Sequence, residues 1–409
     1  MTKKEVPLKI LIVVNHILEF FILTSILKLI KIDTKKEFVS TLMVKPSVYR
    51  KIPDNTKSLF QDIVVVEFPT NPLFIQNKGF RGFIRNVYYI FFRQITDSVK
   101  FTRNLRSLAP QVFDIILISS YREYFVNILL KKIRAEKIVA LRANDAKLES
   151  KNTRKIFSTS FIANVFNFIF GYSLMDYRWH PSYQNIFSST FKTSPYKKII
   201  HLQYGGVGTN LEKSDQEIFL PFPFLPSLFY SSQESSHTKK ILVVGERIPI
   251  VPEWNYGAGK VNPNNECQRA YNQFLDYMRE QFKDHELYFM PRKEYTDTSI
   301  INLTGFEIIP DSITIEELFA TTIFEKVISV KSTASKIASC FGYPSYAIFP
   351  FLQLSPAVNE HFKNFFADSP NVKMVYKLEN LKENATVSVP DTHTIASAYS
   401  QVIYGEKDK

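Results

Sequence analysis

The sequence predicts an α/β protein made of two doubly wound domains, and three observations support this prediction. The chain has 409 residues, enough for two or three domains at about 100–200 residues each. Strand-like apolar runs alternate with helix-like segments in both halves, as in a parallel sheet with crossover helices. A proline-punctuated and then polar stretch follows residue 220. We therefore expect a first domain at residues 1–228, a linker at 229–239 and a second domain at 240–409.

The elements of the first domain follow from short β-branched runs bounded by polar residues. Strands are predicted at residues 8–14, 37–43, 63–68, 113–119, 137–141 and 198–202, and helices at 17–32, within 82–108, at 124–134 and around 160–170. The apolar stretch 8–30 imitates a signal peptide or membrane anchor. Asn15, His16 and Glu19 interrupt it and no cleavage site follows, so a buried strand leading into a helix is the better interpretation.

The second domain repeats the alternation. Strands are predicted at residues 240–244, 286–290, 307–309, 326–330 and 345–348, and helices at 265–282, 314–322, 335–341 and near 394–404. Thr314 and Glu317 have the spacing of a capping box, which strengthens one helix start. After Pro350 the pattern is less regular, and the last helix is expected to pack back on either domain.

Composition limits the partners. The 51 Lys and Arg minus the 39 Asp and Glu give a net charge of +12. Such a charge suits nucleic acid, anionic lipid or a phosphorylated small molecule. The basic residues form only short groups, at 131–134 and 197–198, without a nucleic-acid motif, so we expect solvated surface and no nucleic acid partner. The 2 cysteines cannot form a disulfide framework and no zinc spacing occurs, which predicts a cytoplasmic protein without a metal.

The loops after the first strand of each domain lack known cofactor motifs. Residues 14–17 and 244–247 do not carry G-x-G-x-x-G, and G-x-x-x-x-G-K-[ST] is absent, which disfavours NAD, FAD and P-loop chemistry. No cofactor is therefore expected. Two Rossmann-like domains joined by a linker would leave a central interdomain cleft facing the carboxyl ends of both sheets, where such folds bind ligands. This is a GT-B-type glycosyltransferase architecture.

Four segments of the second domain carry a family resemblance: 240–246 (KILVVGE), 287–294 (LYFMPRKE), 315–319 (IEELF) and 327–335 (VISVKSTAS). Through them the chain resembles the bacterial lipooligosaccharide sialyltransferases and polysialyltransferases, weakly over residues 8–349. It departs from those families in two motifs. Their acidic motif corresponds to Asn144-Asp145-Ala146, and Met290 stands where they have His before Pro291.

The resemblance implies an inverting, metal-independent transfer of a sialic-acid-type (nonulosonic) sugar from a CMP donor to a glycan or glycolipid hydroxyl. Asp145 would be the general base, or alternatively a residue that caps the segment after a strand. Asn15, His16 and Asn144 would line the acceptor side or the cleft. The predicted donor-binding residues are Gly245, Glu246, Pro291, Arg292, Lys293, Lys331, Ser332, Thr333 and Ser335.

The chemistry of the donor residues agrees with this assignment. Ser332, Thr333 and Ser335 open a helix after a strand, where free N–H groups and the helix dipole favour a phosphate, although a plain N-cap would look the same. Lys331 adds charge, and Arg292 with Lys293 suits a phosphate or sugar carboxylate, or else a solvated surface pair.

Two alternatives keep the fold and change the function: a transferase that uses a UDP-sugar, and a catalytically silent nucleotide- or glycan-binding homologue. We expect a location at the inner face of the cytoplasmic membrane, with peripheral contact. The Phe- and Leu-rich run 219–230 is a candidate for that contact, although hinge packing explains it more simply.

Overall fold

The computed structural model describes two compact units. The described residues are 7–33, 37–69, 95–119, 124–143, 197–203, 211–212, 217–225, 228, 239–245, 265–292, 301–352, 354, 356–367, 369, 371–383 and 391–404. Unit 1 comprises Met1–Leu202, Asn210–Leu220 and Ala398–Lys409, and unit 2 comprises Gln203–Thr209 and Pro221–Ser397.

The observed units differ from the predicted domains at the C-terminus. Residues Ala398–Lys409 belong to unit 1, whereas the prediction placed everything from residue 240 onward in the second domain. A specific contact explains the difference, because Lys137 Nζ donates hydrogen bonds to the carbonyls of Val402 (2.9 Å) and Ile403 (2.7 Å). The boundary between the units also falls at Leu220 and Pro221, ahead of the predicted linker.

Unit 1 is built on an eight-stranded sheet. Its strands are β1 Leu8–Val14, β2 Phe38–Val44, β3 Asp62–Val65, β4 Val112–Ile118, β5 Arg134–Ala143, β6 Lys198–Gln203, β7 Leu211–Glu212 and β8 Glu217–Pro221. They lie in the order β3-β2-β1-β4-β5-β6-β8-β7. The strands from β3 to β6 are parallel, and the β7–β8 pair is antiparallel. The first six therefore have the doubly wound order of a Rossmann-like domain.

The described helices of unit 1 cover an aromatic core. They are α1 Ile17–Asp33, the single turns α2 Pro46–Tyr49 and α3 Asp54–Lys57, α4 Ile95–Asn104 and α5 Tyr124–Lys132, with a 3₁₀ turn at Leu105–Ser107. Phe68 and Phe125 stack with ring centroids 4.3 Å apart, and Phe101 contacts both rings. Residues 20–27, in α1, are all buried. The strand followed by a helix predicted for the apolar N-terminal stretch is confirmed.

Unit 2 repeats the topology with a fully parallel six-stranded sheet. Its strands are β9 Lys240–Val244, β10 Glu286–Met290, β11 Glu307–Ile308, β12 Lys326–Ser329, β13 Ser345–Ala347 and β14 Val372–Met374, in the order β11-β10-β9-β12-β13-β14. The helices are α6 Asn265–Gln281, α7 Ile315–Thr321, α8 Thr333–Cys340, α9 Pro356–Phe365 and α10 Thr392–Tyr404, with a 3₁₀ helix at Leu378–Lys382. Residues 398–404 of α10 belong to unit 1.

The predicted fold class, α/β with two Rossmann-like units as in GT-B enzymes, is confirmed by these two sheets. The capping box of α7 is also present, since Thr314 Oγ1 accepts from the Glu317 backbone and the Glu317 carboxylate accepts from the Thr314 backbone. Prediction missed α9 and β14 after Pro350. The predicted helix around 160–170 lies outside the described residues.

Two findings bear on membrane contact. Large apolar side chains of the run 219–230 are buried, Leu220 in unit 1 and Phe222, Phe224 and Leu225 in unit 2, each at most 3% exposed. The Phe224 ring lies 4.7 Å from that of Phe341. Packing, the simpler interpretation of this run, is therefore what the structure shows. Among the described residues, no helix has the length and apolar character needed to span a membrane.

Candidate donor site at the carboxyl edge of the second sheet

The strand order of unit 2 reverses between β9 and β12, and parallel α/β sheets bind ligands beside such a reversal, at the carboxyl ends of the strands. Val244 at the end of β9 pairs with Ser329 at the end of β12 and with Met290 at the end of β10. The segments that follow these three strands therefore start at one edge of the sheet. They contain six of the predicted donor-binding residues, namely Gly245, Pro291, Arg292, Lys331, Ser332 and Thr333.

Gly245 continues the sheet instead of opening a loop. Its backbone N–H donates to the Met290 carbonyl at 2.8 Å, and the residue is buried. That N–H group is thus already engaged. Pro291 is half-buried and Arg292 is exposed at the same edge, so Arg292 is the side chain of this segment that reaches solvent. Glu246 and Lys293 lie outside the described residues.

The serines at the start of α8 have different roles. Ser332 is the N-cap: its hydroxyl accepts from the Ala334 N–H at 3.2 Å, and Thr333 beside it is exposed. The Ser335 hydroxyl lies 2.7 Å from that of Ser329, and Ser335 is 0% exposed. Ser335 therefore ties the first turn of α8 to the end of β12. Of these three predicted residues, Thr333 is exposed and Ser332 is half-buried, so both reach the surface. Ser335 is buried and supports the turn that carries them.

Lys331 is held by aromatic rings from α9. Its Nζ lies 4.5 Å from the centroid of Phe365 and 5.5 Å from that of Phe362, distances at which a ring attracts a cation. Lys336, only 3% exposed, places its Nζ 4.3 Å from the same Phe365 ring. Burial and the charge of Lys331 lower the pKa of His361. The site thus has a cationic, aromatic wall.

Sequence reasoning found Lys331 and missed the residues of this wall. Phe362 and Phe365 are spaced i, i+3 on a helix that was not predicted. That spacing, together with Asn359 and His361 nearby, is the signal that would have revealed an amphipathic helix. Their contact with Lys331 joins segments about thirty residues apart and could not be read from spacing.

The corresponding edge of unit 1 lies between β1 and β4, where Val13 pairs with Ile118. Asn15 and His16 follow β1, and the Glu19 carboxylate accepts from the backbone N–H of both, at 2.7 Å and 3.1 Å. Asn15 Nδ2 also lies 3.2 Å from His16 Nε2. Ser119 follows β4, and its buried hydroxyl has no hydrogen-bond partner within the described part of the chain. A carboxylate therefore already occupies the start of α1.

The predicted acidic motif cannot be placed further than its attachment. Asn144 and Asp145 come directly after Ala143, the last residue of β5, but they lie outside the described residues. β5 is adjacent to β4 in the parallel sheet. β5 therefore ends, at Ala143, on the carboxyl edge of the sheet.

The described residues offer no obvious metal ligands or reactive thiol. No three His, Cys, Asp or Glu side chains among them are arranged to hold a metal ion. Cys267 and Cys340 are both buried, and neither takes part in a disulfide. Burial raises the pKa of Cys267 to about 12, so its thiol stays protonated at neutral pH.

No protein-family model and no curated protein matches the sequence. Among solved structures, the chain is similar to CalG4, the calicheamicin glycosyltransferase, with 10% identity over 98% of this chain and 95% of that chain and a TM-score of 0.45. It is similar to UDP-GlcNAc 2-epimerase from Neisseria meningitidis, with 10% identity over 98% and 100% and a TM-score of 0.44. A glycosyl transferase of family 9 from Veillonella parvula shows 12% identity over 98% and 99% and a TM-score of 0.39. At these values the likeness does not decide the activity.

Proposed function

We propose that the protein is a glycosyltransferase that transfers a sialic-acid-type (nonulosonic) sugar from a CMP donor to a hydroxyl group of a glycan acceptor. The observation that carries this proposal is the arrangement of Lys331, Ser332, Thr333 and Arg292 at the carboxyl edge of the second sheet. The CMP donor rests on the sequence resemblance, whose motifs include these residues.

The donor phosphate belongs at the start of α8. The positive end of the α8 dipole attracts an anion, and Lys331 adds a full positive charge beside it. As the bond between sugar and phosphate breaks, negative charge grows on the phosphate, and donors fixed in advance stabilise that charge. The rings of Phe362 and Phe365 hold Lys331 in place for this purpose. Arg292 suits the carboxylate of the sugar, which it can bind with two hydrogen bonds.

Acceptor activation belongs to unit 1. In the transfer, the acceptor oxygen forms a bond to the anomeric carbon, CMP departs with the electrons of the broken bond, and the hydroxyl proton goes to a carboxylate. In our proposal that base is Asp145, the second residue after the end of β5. Asn15 and His16 offer hydrogen-bonding groups for the acceptor at the same edge of the sheet.

A UDP-sugar donor is an alternative that the sequence permits, since Met290 replaces a family histidine and Asn144-Asp145-Ala146 departs from the acidic motif. The same edge would hold a diphosphate by the same groups. A silent binding protein would keep the nucleotide site and lack turnover. We place the protein in the cytoplasm, where nucleotide-sugars are made.

The test is thermal unfolding of the purified protein with CMP, UDP and GDP in parallel. A ligand at 100 times its dissociation constant adds about 2.7 kcal/mol to the free energy of unfolding. We expect a selective shift with CMP, and then release of CMP from CMP-sialic acid in the presence of a glycan acceptor. A selective UDP shift would transfer the proposal to a UDP-sugar, and no shift with any nucleotide would refute a donor site in unit 2.

A further inference from the structure

At the edge of the first sheet where the strands begin, the part formed by β4, β5 and β6 is strongly basic, whereas exposed acidic residues, Glu37 and Asp62, stand at the beginnings of β2 and β3. The basic residues there are Arg106 in the turn before β4, Lys131 and Lys132 at the end of α5, Arg134 at the start of β5, and Lys197 and Lys198 at the start of β6. We call these six residues the basic edge. Five of them, Arg106, Lys131, Lys132, Arg134 and Lys197, are exposed, and Lys198 is half-buried.

The fold brings together charges that are distant in sequence. Arg134 pairs in register with Val112, so the end of α5 lies beside the start of β4. Lys198 pairs with Val139, and the Lys197 N–H donates to the Ile138 carbonyl at 2.9 Å, which attaches the second basic group to the same strand, β5. The basic groups at residues 131–134 and 197–198, which are separate in the sequence, therefore form one surface.

The charges of the basic edge affect nearby lysines. Burial, and then the charges of Lys198 and Lys197, lower the pKa of Lys137 to about 8. Burial and the charge of Lys132 likewise lower the pKa of Lys131. Within residues 103–112, 131–138 and 197–198, Glu136 is the one acidic residue. Arg106, Lys132, Arg134 and Lys197 form no ion pair with any residue that the structure describes.

We propose that the basic edge is a docking surface for the anionic phospholipid headgroups of a membrane. A cluster of four to eight Lys and Arg residues is the size that attracts an acidic bilayer surface. The docking does not depend on which sugar or nucleotide the protein uses. In the other segment considered for membrane contact, the run 219–230, the large apolar side chains Leu220, Phe222, Phe224 and Leu225 are buried.

The surface suits lipid better than nucleic acid. Single-stranded nucleic acids bind where aromatic rings stack on bases, and no large aromatic side chain is exposed on the described residues of the basic edge or beside it. The exposed apolar residue in this region is instead Val112, with 54% of its surface accessible, next to Arg134 in register. An exposed aliphatic side chain among cations suits the interfacial region of a bilayer, where the lipid headgroups meet the acyl chains.

The test is co-sedimentation of the full chain with phosphatidylcholine vesicles, with and without phosphatidylglycerol. We expect binding only to the anionic vesicles, and weaker binding as salt rises, because the screening length is about 10 Å at 0.1 M. The triple variant Lys132→Gln, Arg134→Gln, Lys197→Gln should lower the partition coefficient about a hundredfold at low salt, at about fivefold for each charge removed.

The matched control removes the same net charge elsewhere, at the exposed residues Lys51, Lys283 and Lys382, each changed to Gln. We expect this control to bind vesicles within about twofold of the parent chain, with unchanged thermal unfolding in both triples. Equal losses in the two triples would mean that only net charge matters and would overturn the proposal. Tighter binding of single-stranded RNA than of vesicles, lost in the first triple, would also overturn it. Because no nucleotide is present, failure here leaves the proposed transferase activity untouched.

Discussion

Six strands of the first sheet and the six strands of the second have the same order, and yet the carboxyl edges of the two sheets suit different ligands. In unit 1, the Glu19 carboxylate accepts hydrogen bonds from the N–H groups of Asn15 and His16 at the start of α1. In unit 2, an uncharged serine caps α8 and Lys331 lies beside it. A helix start filled by a carboxylate repels an anion, and one flanked by a lysine attracts it. The comparison teaches that one topology gives opposite electrostatic preferences: a nucleotide phosphate suits unit 2, and an uncharged acceptor suits unit 1.

The largest effect is expected at the acceptor side. Asp145→Asn should lower the rate of transfer about 10²–10⁴-fold, because the acceptor hydroxyl loses its general base. CMP binding should stay unchanged, since the phosphate is held in unit 2. Turnover with CMP-sialic acid and a glycan acceptor, measured beside the CMP-dependent unfolding shift, checks both parts. Unaltered turnover would remove Asp145 from the mechanism. A loss of CMP binding as large as the loss of turnover would contradict the proposal that unit 2 binds the nucleotide and unit 1 activates the acceptor.

The second effect concerns the charge at the donor edge. Lys331→Met should weaken CMP binding about 10–100-fold, because a hydrogen bond to a charged group contributes about 1.5–3 kcal/mol. The Met side chain keeps most of the contact with Phe362 and Phe365, so the fold should survive. Calorimetric titration with CMP measures the change, and Lys283→Met, on the exposed surface of the same unit, is the control. A similar affinity in the two variants would show that Lys331 does not contact the phosphate.

A third prediction concerns the contact between Ser335 in α8 and Ser329 at the end of β12. Ser335→Ala should lower the free energy of unfolding by about 1–3 kcal/mol, because it leaves the buried Ser329 hydroxyl without its partner. The double variant with Ser329→Ala should recover part of that loss. Chemical denaturation of the two single variants and the double variant measures the coupling free energy between the two hydroxyl groups. Additive losses would mean that the 2.7 Å contact does not stabilise the turn.

A smaller effect is expected from the carboxylate of unit 1. Glu19→Gln should cost about 0.5–2 kcal/mol of stability, because it removes the charged partner of two N–H groups at a helix start. It should leave CMP affinity unchanged, in contrast to Lys331→Met. Denaturant unfolding and the same calorimetric titration provide the readouts. A loss of CMP binding in this variant would place the nucleotide at the wrong edge for our proposal.

The sequence predicted most of the fold, because buried parallel strands are continuous apolar runs of distinctive length. The strands β1, β9 and β10 were predicted with their observed bounds, and α6 within one residue. The part after Pro350 escaped prediction because β14 has only three residues, too few to show a period. The last helix was expected to pack on either domain, and the choice of unit 1 for its C-terminal end depends on hydrogen bonds from a lysine of β5 that no local pattern shows.

The candidate site was predictable only in outline. Motifs at strand ends located Lys331 and Ser332, because the carboxyl ends of parallel strands meet at one edge. Which side chains face outward depended on where α8 begins. It begins at Thr333, two residues before the predicted start, which turns Ser335 inward toward Ser329. The Phe365 ring shared by Lys331 and Lys336 is a tertiary contact that no local pattern contains.

The smallest expected effect is a titration shift that reports where the phosphate lies. Burial, and then the charge of Lys331, hold the pKa of His361 below its ordinary value of about 6.5. A phosphate bound at Lys331 would offset that positive charge and raise the pKa of His361. The rise should be partial, because the burial that contributes most to the lowering remains. NMR titration of the His361 ring with and without CMP measures it, and the His16 signals at the other sheet edge serve as the reference. A CMP-induced change at His16 with none at His361 would reverse the assignment of the two edges.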